Sequence, residues 1–149
     1  MSEAKKNFNR IATCSAVIII ALFLTGMGTL GEKETSKIPE PEYNFSAIII
    51  DQFDVSSVVN FFSIDGLTFI SGKRGNATIS VPFDNIKSTK FYKKDSKLSA
   101  IVIMRDGAEI ELKIDKEHVL YGRLPYGILS IDIIDVKKII INGLAQQGK

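Results

Sequence analysis

Leu98-Ser99-Ala100-Ile101-Val102-Ile103-Met104-Arg105-Asp106-Gly107-Ala108-Glu109-Ile110-Glu111-Leu112-Lys113-Ile114 is the stretch that decides the fold. Two runs rich in aliphatic side chains flank an Arg-Asp-Gly break. Asp-Gly between alternating runs is a strong hairpin signal, because a type I′ turn needs positive φ at both central positions. In the second arm Ala108, Ile110, Leu112 and Ile114 fall on one side, and Glu109, Glu111 and Lys113 on the other. That alternation makes a strand with one dry face and one wet face.

The same pattern continues on both sides of the hairpin. Period-two alternation and closely spaced turn signals predict further strands at 47–53, 58–64, 67–72, 77–83, 86–92, 117–122, 127–133 and 136–142. Asp65-Gly66 supplies a second hairpin turn, and Pro82, lacking a backbone donor, marks a strand end or sheet edge. No window between Asn44 and Asn142 carries a helical stripe. A shift of fifty residues lays Ile64, Asp65, Gly72, Ser80 and Lys87 on Ile114, Asp115, Gly122, Ser130 and Lys137. It also lays Val81, Phe83 and Ile86 on Ile131, Ile133 and Val136. This reads as two five-strand units whose apolar faces cover each other. The expected fold is therefore all-β: about ten short antiparallel strands in a β-sandwich or flattened barrel.

The segment Tyr121-Gly122-Arg123-Leu124-Pro125-Tyr126-Gly127-Ile128-Leu129-Ser130-Ile131-Asp132-Ile133-Ile134-Asp135-Val136-Lys137-Lys138-Ile139 resembles one found in uncharacterised exported bacterial β-repeat domains. In those domains a Thr-x-x-Gly stretch leads into an apolar strand and a closing Ile-x-x-Ile, and the Asp-Gly hairpin above fits theirs. Leu124 stands where the usual Thr would be. The resemblance covers residues 98 to 141, implies an extracytoplasmic β-module, and implies no chemistry.

Ahead of the β region, Ile11 to Leu30 carries no charge, a length that crosses a bilayer core as a helix. Lys5, Lys6 and Arg10 precede it against one Glu3, and basic flanks stay cytoplasmic, which places everything after Leu30 outside the cytoplasm. Residues 1–30 are a signal anchor or a signal peptide; Gly26 and Gly28 offer a small-residue cleavage site without the preferred Ala. Lipid attachment at Cys14 fails, because the apolar core follows that cysteine. Residues 31–43, charged and with Pro39 and Pro41, read as a flexible linker, 44–142 as an extracytoplasmic β domain, and 143–149 as a polar tail. The predicted location is the cytoplasmic membrane, single pass with the β domain outside, or the periplasm or exterior after cleavage.

Composition excludes several classes. Beyond residue 30 there are 16 basic and 16 acidic residues, so a nucleic-acid partner is not expected. The one cysteine, Cys14, precedes the domain, leaving it without disulfides or thiol chemistry. His118 is the single histidine, so one chain cannot build a two-histidine metal site. It could join a Ser-His-Asp arrangement, but no partner is indicated by spacing. The nucleophile-elbow, zinc-protease, P-loop and dinucleotide motifs are absent. Asp51, Asp54, Asp65, Asp84, Asp115 and Asp135 fall at strand ends or turns, and Asp132 faces away from Ile131 and Ile133. Asn44-Phe45-Ser46 and Asn76-Ala77-Thr78 match the glycosylation pattern.

No catalytic residue, cofactor or metal is expected. The candidate contact surface is the basic cluster Lys87, Lys90, Phe91, Tyr92, Lys93, Lys94 and Lys97, suited to anionic headgroups or a polyanionic glycan. The leading functional reading is a non-enzymatic module that binds a protein or envelope component. The alternative is a lipid or amphiphile carrier, with Phe53, Phe61, Phe62, Phe69, Phe83 and Phe91 lining an apolar groove. A hydrolase using paired carboxylates is a third reading that no motif supports.

Overall fold

Strands that are dry on one face and wet on the other need a way to hide the dry face. Here one sheet does so by curling on itself. A computed structural model describes residues 38–145. The 1–30 anchor or signal segment, the first part of the expected linker and the end of the polar tail lie outside the described residues. The chain forms β1 (Phe45–Asp51), β2 (Ser56–Ile64), β3 (Phe69–Arg74), β4 (Ala77–Pro82), β5 (Ile86–Lys94), β6 (Lys97–Met104), β7 (Glu109–Ile114), β8 (Val119–Leu124), β9 (Gly127–Asp132) and β10 (Val136–Leu144). Short 3₁₀ turns, Phe83–Asn85 and Ile133–Asp135, lead into β5 and β10. Among the described residues no helix is long and apolar enough to cross a membrane.

The strands lie in the order β4-β3-β7-β6-β5-β10-β1-β2-β8-β9, antiparallel throughout, in one curled half-barrel sheet. The expected sandwich or flattened barrel is thus realised as an open form. β10 pairs with both β5 and β1, which fuses what a sandwich would keep as two sheets. Among the described residues β4 and β9 each have one partner strand and remain as edges, and no barrel closes. The order reads the same when each strand is exchanged with the one five places along. The centre of that exchange is the β5–β10 pair, where Thr89 lies directly opposite Ile139. Each half sends a hairpin across: β3–β4 docks on β7, and β8–β9 docks on β2.

The core sits inside the curl. Phe45, Ala47 and Ile49 of β1, Val136, Ile139 and Ile141 in and before the middle of β10, and Ala100 and Val102 of β6 are all buried. Phe83, carried in by its 3₁₀ turn, stacks on Phe62 (5.0 Å between centroids) and meets Phe45 edge-on at 5.6 Å. Its positional counterpart Ile133 is equally buried. Gly72 and Gly122 mark where the crossing hairpins approach most closely. A Cβ on Gly122 would stand 2.6 Å from Cβ of Val59, and one on Gly72 would stand 2.8 Å from Cβ of Leu112 and the Lys113 carbonyl oxygen.

The turns differ from the expected chemistry in one place. At Arg105-Asp106-Gly107 only Gly107 has positive φ (91°), and the Met104 N–H donates to the Ala108 carbonyl at 2.8 Å. This is a three-residue turn closed by a left-handed glycine, not a type I′ turn. The double positive φ occurs instead at Asp65-Gly66 (51° and 83°), where Ile64 and Leu67 exchange backbone hydrogen bonds of 3.0 and 2.8 Å. It occurs again at Asp95-Ser96 (51° and 60°), between β5 and β6. Pro82 ends β4 on the edge, where a missing donor costs no ladder bond. Asp132 is exposed beside the half-buried Ile131.

Candidate functional site

β2 cannot run straight past β8. Its register slips between Asn60 and Ser63, and at that slip Phe61 takes a φ of 51°. A bulky residue with positive φ is a genuine outlier, with a cost of about 1–3 kcal/mol. The Phe61 N–H is held by the Asn44 side-chain oxygen at 2.8 Å. The bulge keeps Val59, Phe62 and Ile64 buried while it leaves Phe61 half-exposed, and the Arg123 guanidinium lies over the Phe61 ring, 4.5 Å from its centroid.

Around this pair lies a groove of about 140 Å³, lined by Phe61, Tyr121, Gly122, Arg123, Ile128 and the segment Ile38-Pro39-Glu40-Pro41. The segment is tied down at three points. Pro41 is buried, Pro39 packs against Gly66 where a Cβ would collide with it, and Glu40 accepts from Arg123 at 3.3 Å. The C-terminal end of the expected linker therefore lies against the sheet. Beside the groove runs the β9 edge, with Ile128 55% exposed and Tyr126, in the β8–β9 turn, 86% exposed.

A second groove occupies the equivalent place in the other half. It holds about 350 Å³ and is lined by Ser71, Gly72, Lys73 and Thr78, which stand fifty residues before Tyr121, Gly122, Arg123 and Ile128. Lys113, Ile114, Asp115 and His118 complete it. Here Ser71 and Thr78 stand where the first groove has Tyr121 and Ile128. His118 is held from outside the groove: its Nδ1–H donates to Oδ2 of Asp65 at 2.5 Å, and Oδ1 of Asp65 accepts the Val119 N–H at 2.9 Å. Asp65 is the partner that sequence spacing did not reveal, because it lies 53 residues from His118 and reaches it only through the docking of β8 beside β2.

The basic cluster divides between faces. Lys90, Tyr92 and Lys94 alternate along β5, opposite Ile101, Ser99 and Lys97 on β6, and so share the outer face. Lys87 and Lys93 are exposed as well, whereas Phe91 is buried and belongs to the core, not to a contact surface. The Tyr92 hydroxyl donates to Oε1 of Glu111, and that bond, with some burial and the Glu111 charge, raises the phenol above its usual value of 10.0. Of the phenylalanines expected to line one lipid groove, Phe62, Phe83 and Phe91 are core residues. Phe53 projects from the β1–β2 turn, 89% exposed, and Phe61 and Phe69 are half-buried. Among the described residues no three His, Cys, Asp or Glu side chains converge as metal ligands.

An open half-barrel with two topologically equivalent grooves, one aromatic and one polar, defines the class of molecule. A family model described as "Uncharacterised protein" matches residues 41–143, and the chain belongs to that family. The match begins at the buried Pro41 and ends within β10, so it takes in the whole sheet. No curated protein and no solved structure matches the chain.

Proposed function

We propose that this protein is a non-enzymatic binding module, presented outside the cytoplasm by the apolar segment 11–30, that takes an extended segment of a partner protein along its β9 edge. The open edge carries the reading: β9 pairs with β8 alone among the described residues, and its exposed Ile128 and Tyr126 stand beside an aromatic groove. An unpaired strand gives main-chain affinity to an added strand, and neighbouring pockets select its side chains. Two further observations support it. One wall of the groove is already formed by Ile38-Pro39-Glu40-Pro41 of this chain, and the strained Phe61 keeps its ring at another. The opposite edge is ill suited, since β4 presents Thr78, Ser80 and Pro82 in the places of Ile128, Ser130 and Asp132. The symmetric strand order supports reading the domain as a duplicated five-strand unit in which one edge has kept or gained an apolar docking role.

Photo-crosslinking in the native membrane tests this. A benzoylphenylalanine at Tyr126 should give a discrete protein adduct, and the same probe at Thr78 should not. Ser130→Pro, which removes an edge donor, should abolish the adduct. Adducts confined to lipid would transfer the assignment to an amphiphile carrier, and no adduct at Tyr126 would overturn the edge reading.

A further inference from the structure

We infer that the polar groove between β3 and the β7–β8 connection is a binding site for an oxyanion, a phosphate or carboxylate group of a ligand. The starting point is an unfavourable pair. Lys73 and Lys113 are direct cross-strand partners where β3 docks on β7, and both line the groove. Like charges placed opposite one another destabilise a sheet. Neither lysine forms a salt bridge with a described residue. An anion between them turns that repulsion into two charge-assisted contacts.

The rest of the lining fits the same ligand. Thr78 brings a hydroxyl donor, and Ser71 brings a second when it accepts from the Ser80 hydroxyl 3.1 Å away. His118 has Nδ1 committed to Asp65, which fixes the ring and leaves Nε2 as its unengaged nitrogen. Asp115 is the one carboxylate on the wall, and its Oδ1 is occupied by the Glu117 N–H at 3.0 Å. The molecule also shows how the equivalent place is filled. Arg123 stands fifty residues after Lys73, and its groove contains the Glu40 carboxylate, 3.3 Å from the guanidinium. The aromatic groove receives its anion from this chain. The polar groove, with more cations and more than twice the volume, has no such segment among the described residues. The site is separate from the β9 edge and does not depend on the role proposed for it.

His118 provides the readout, because a chain with one histidine gives one set of imidazole signals. The full chain in a mild detergent, labelled with ¹³C-histidine, is titrated at fixed pH and ionic strength with inorganic phosphate, with acetate, and with chloride as control. The expected result is a saturating His118 shift with phosphate or with acetate, and none with chloride. Saturation by phosphate alone assigns a phosphoryl source, and saturation by acetate assigns a carboxylate. Lys73→Ala and Lys113→Ala, both at exposed positions, should each weaken the binding at least about tenfold while the remaining spectrum stays folded. A response equal to that of chloride, or one unchanged in both variants, would overturn the assignment.

Discussion

The Tyr92 hydroxyl rests on the Glu111 carboxylate across the outer face, and its ionisation would place two negative charges side by side. Its proton is therefore held more firmly in the folded chain than in the unfolded one, where the value is near 10.0. A group whose folded value is raised contributes stability that is fully present below the unfolded value and is lost as pH climbs through the folded one. The protein should lose stability above about pH 10. In a tyrosinate absorbance titration, Tyr92→Phe should remove a late-titrating component and flatten the alkaline loss. An unchanged profile in that variant would assign the effect to another tyrosine. Phe61 shows the opposite kind of residue, one that pays locally for its position. Its left-handed backbone is tolerated because the Asn44 side chain and the Arg123 guanidinium hold it from two sides.

Among the elements, the two crossing hairpins depend on a glycine each. Gly122→Ala drives a methyl group into Val59, and Gly72→Ala drives one against Leu112 and the Lys113 carbonyl. Each should lower the unfolding free energy by about 1–3 kcal/mol in urea denaturation, the usual range for overpacking. Gly127→Ala, with open space around the new methyl, should leave stability within about 0.5 kcal/mol of the parent. All ten strands were legible in the sequence, because alternation records which face is dry. The turn at Gly107 took a different type from the one Asp-Gly suggests, since a third residue, Arg105, entered the loop. Arg105 is retained there by its own bonds, N–H to the Asn85 carbonyl and Nε–H to the Asp84 carbonyl. The Phe61 bulge left no trace, because nothing in Asn60-Phe61-Phe62 marks a positive φ. Nor could Asp65 be matched to His118, or Lys73 to Lys113. Those pairs arise from the exchange of hairpins between halves, and that exchange is long-range. The basic cluster was legible as a wet surface, but alternation along β5 puts Phe91 in the core, and the aromatic groove drew on residues from three separated stretches.

For the whole molecule, the exchange makes the halves inseparable. A chain of residues 38–94 contains the β3–β4 hairpin but not the β7 strand on which it docks, and residues 97–145 contain β8–β9 without β2. Each fragment alone should give a coil-like circular dichroism spectrum. A cut confined to the Asp95-Ser96 turn should be far less damaging, with the mixed fragments recovering the β signal; two independently folded fragments would refute the interlocked arrangement. The placement of β10 has a related outcome during synthesis. Of the ten described strands it is the last to be synthesised, yet it occupies the middle of the sheet, between β5 and β1. Until Val136 to Leu144 has emerged, the nascent polypeptide holds two ribbons with no strand pairing between them, which meet only through side-chain packing such as that of Phe83 on Phe62 and Phe45. Completion of the sheet therefore waits for β10, and a premature stop codon before it should leave the two ribbons without the strand that joins them.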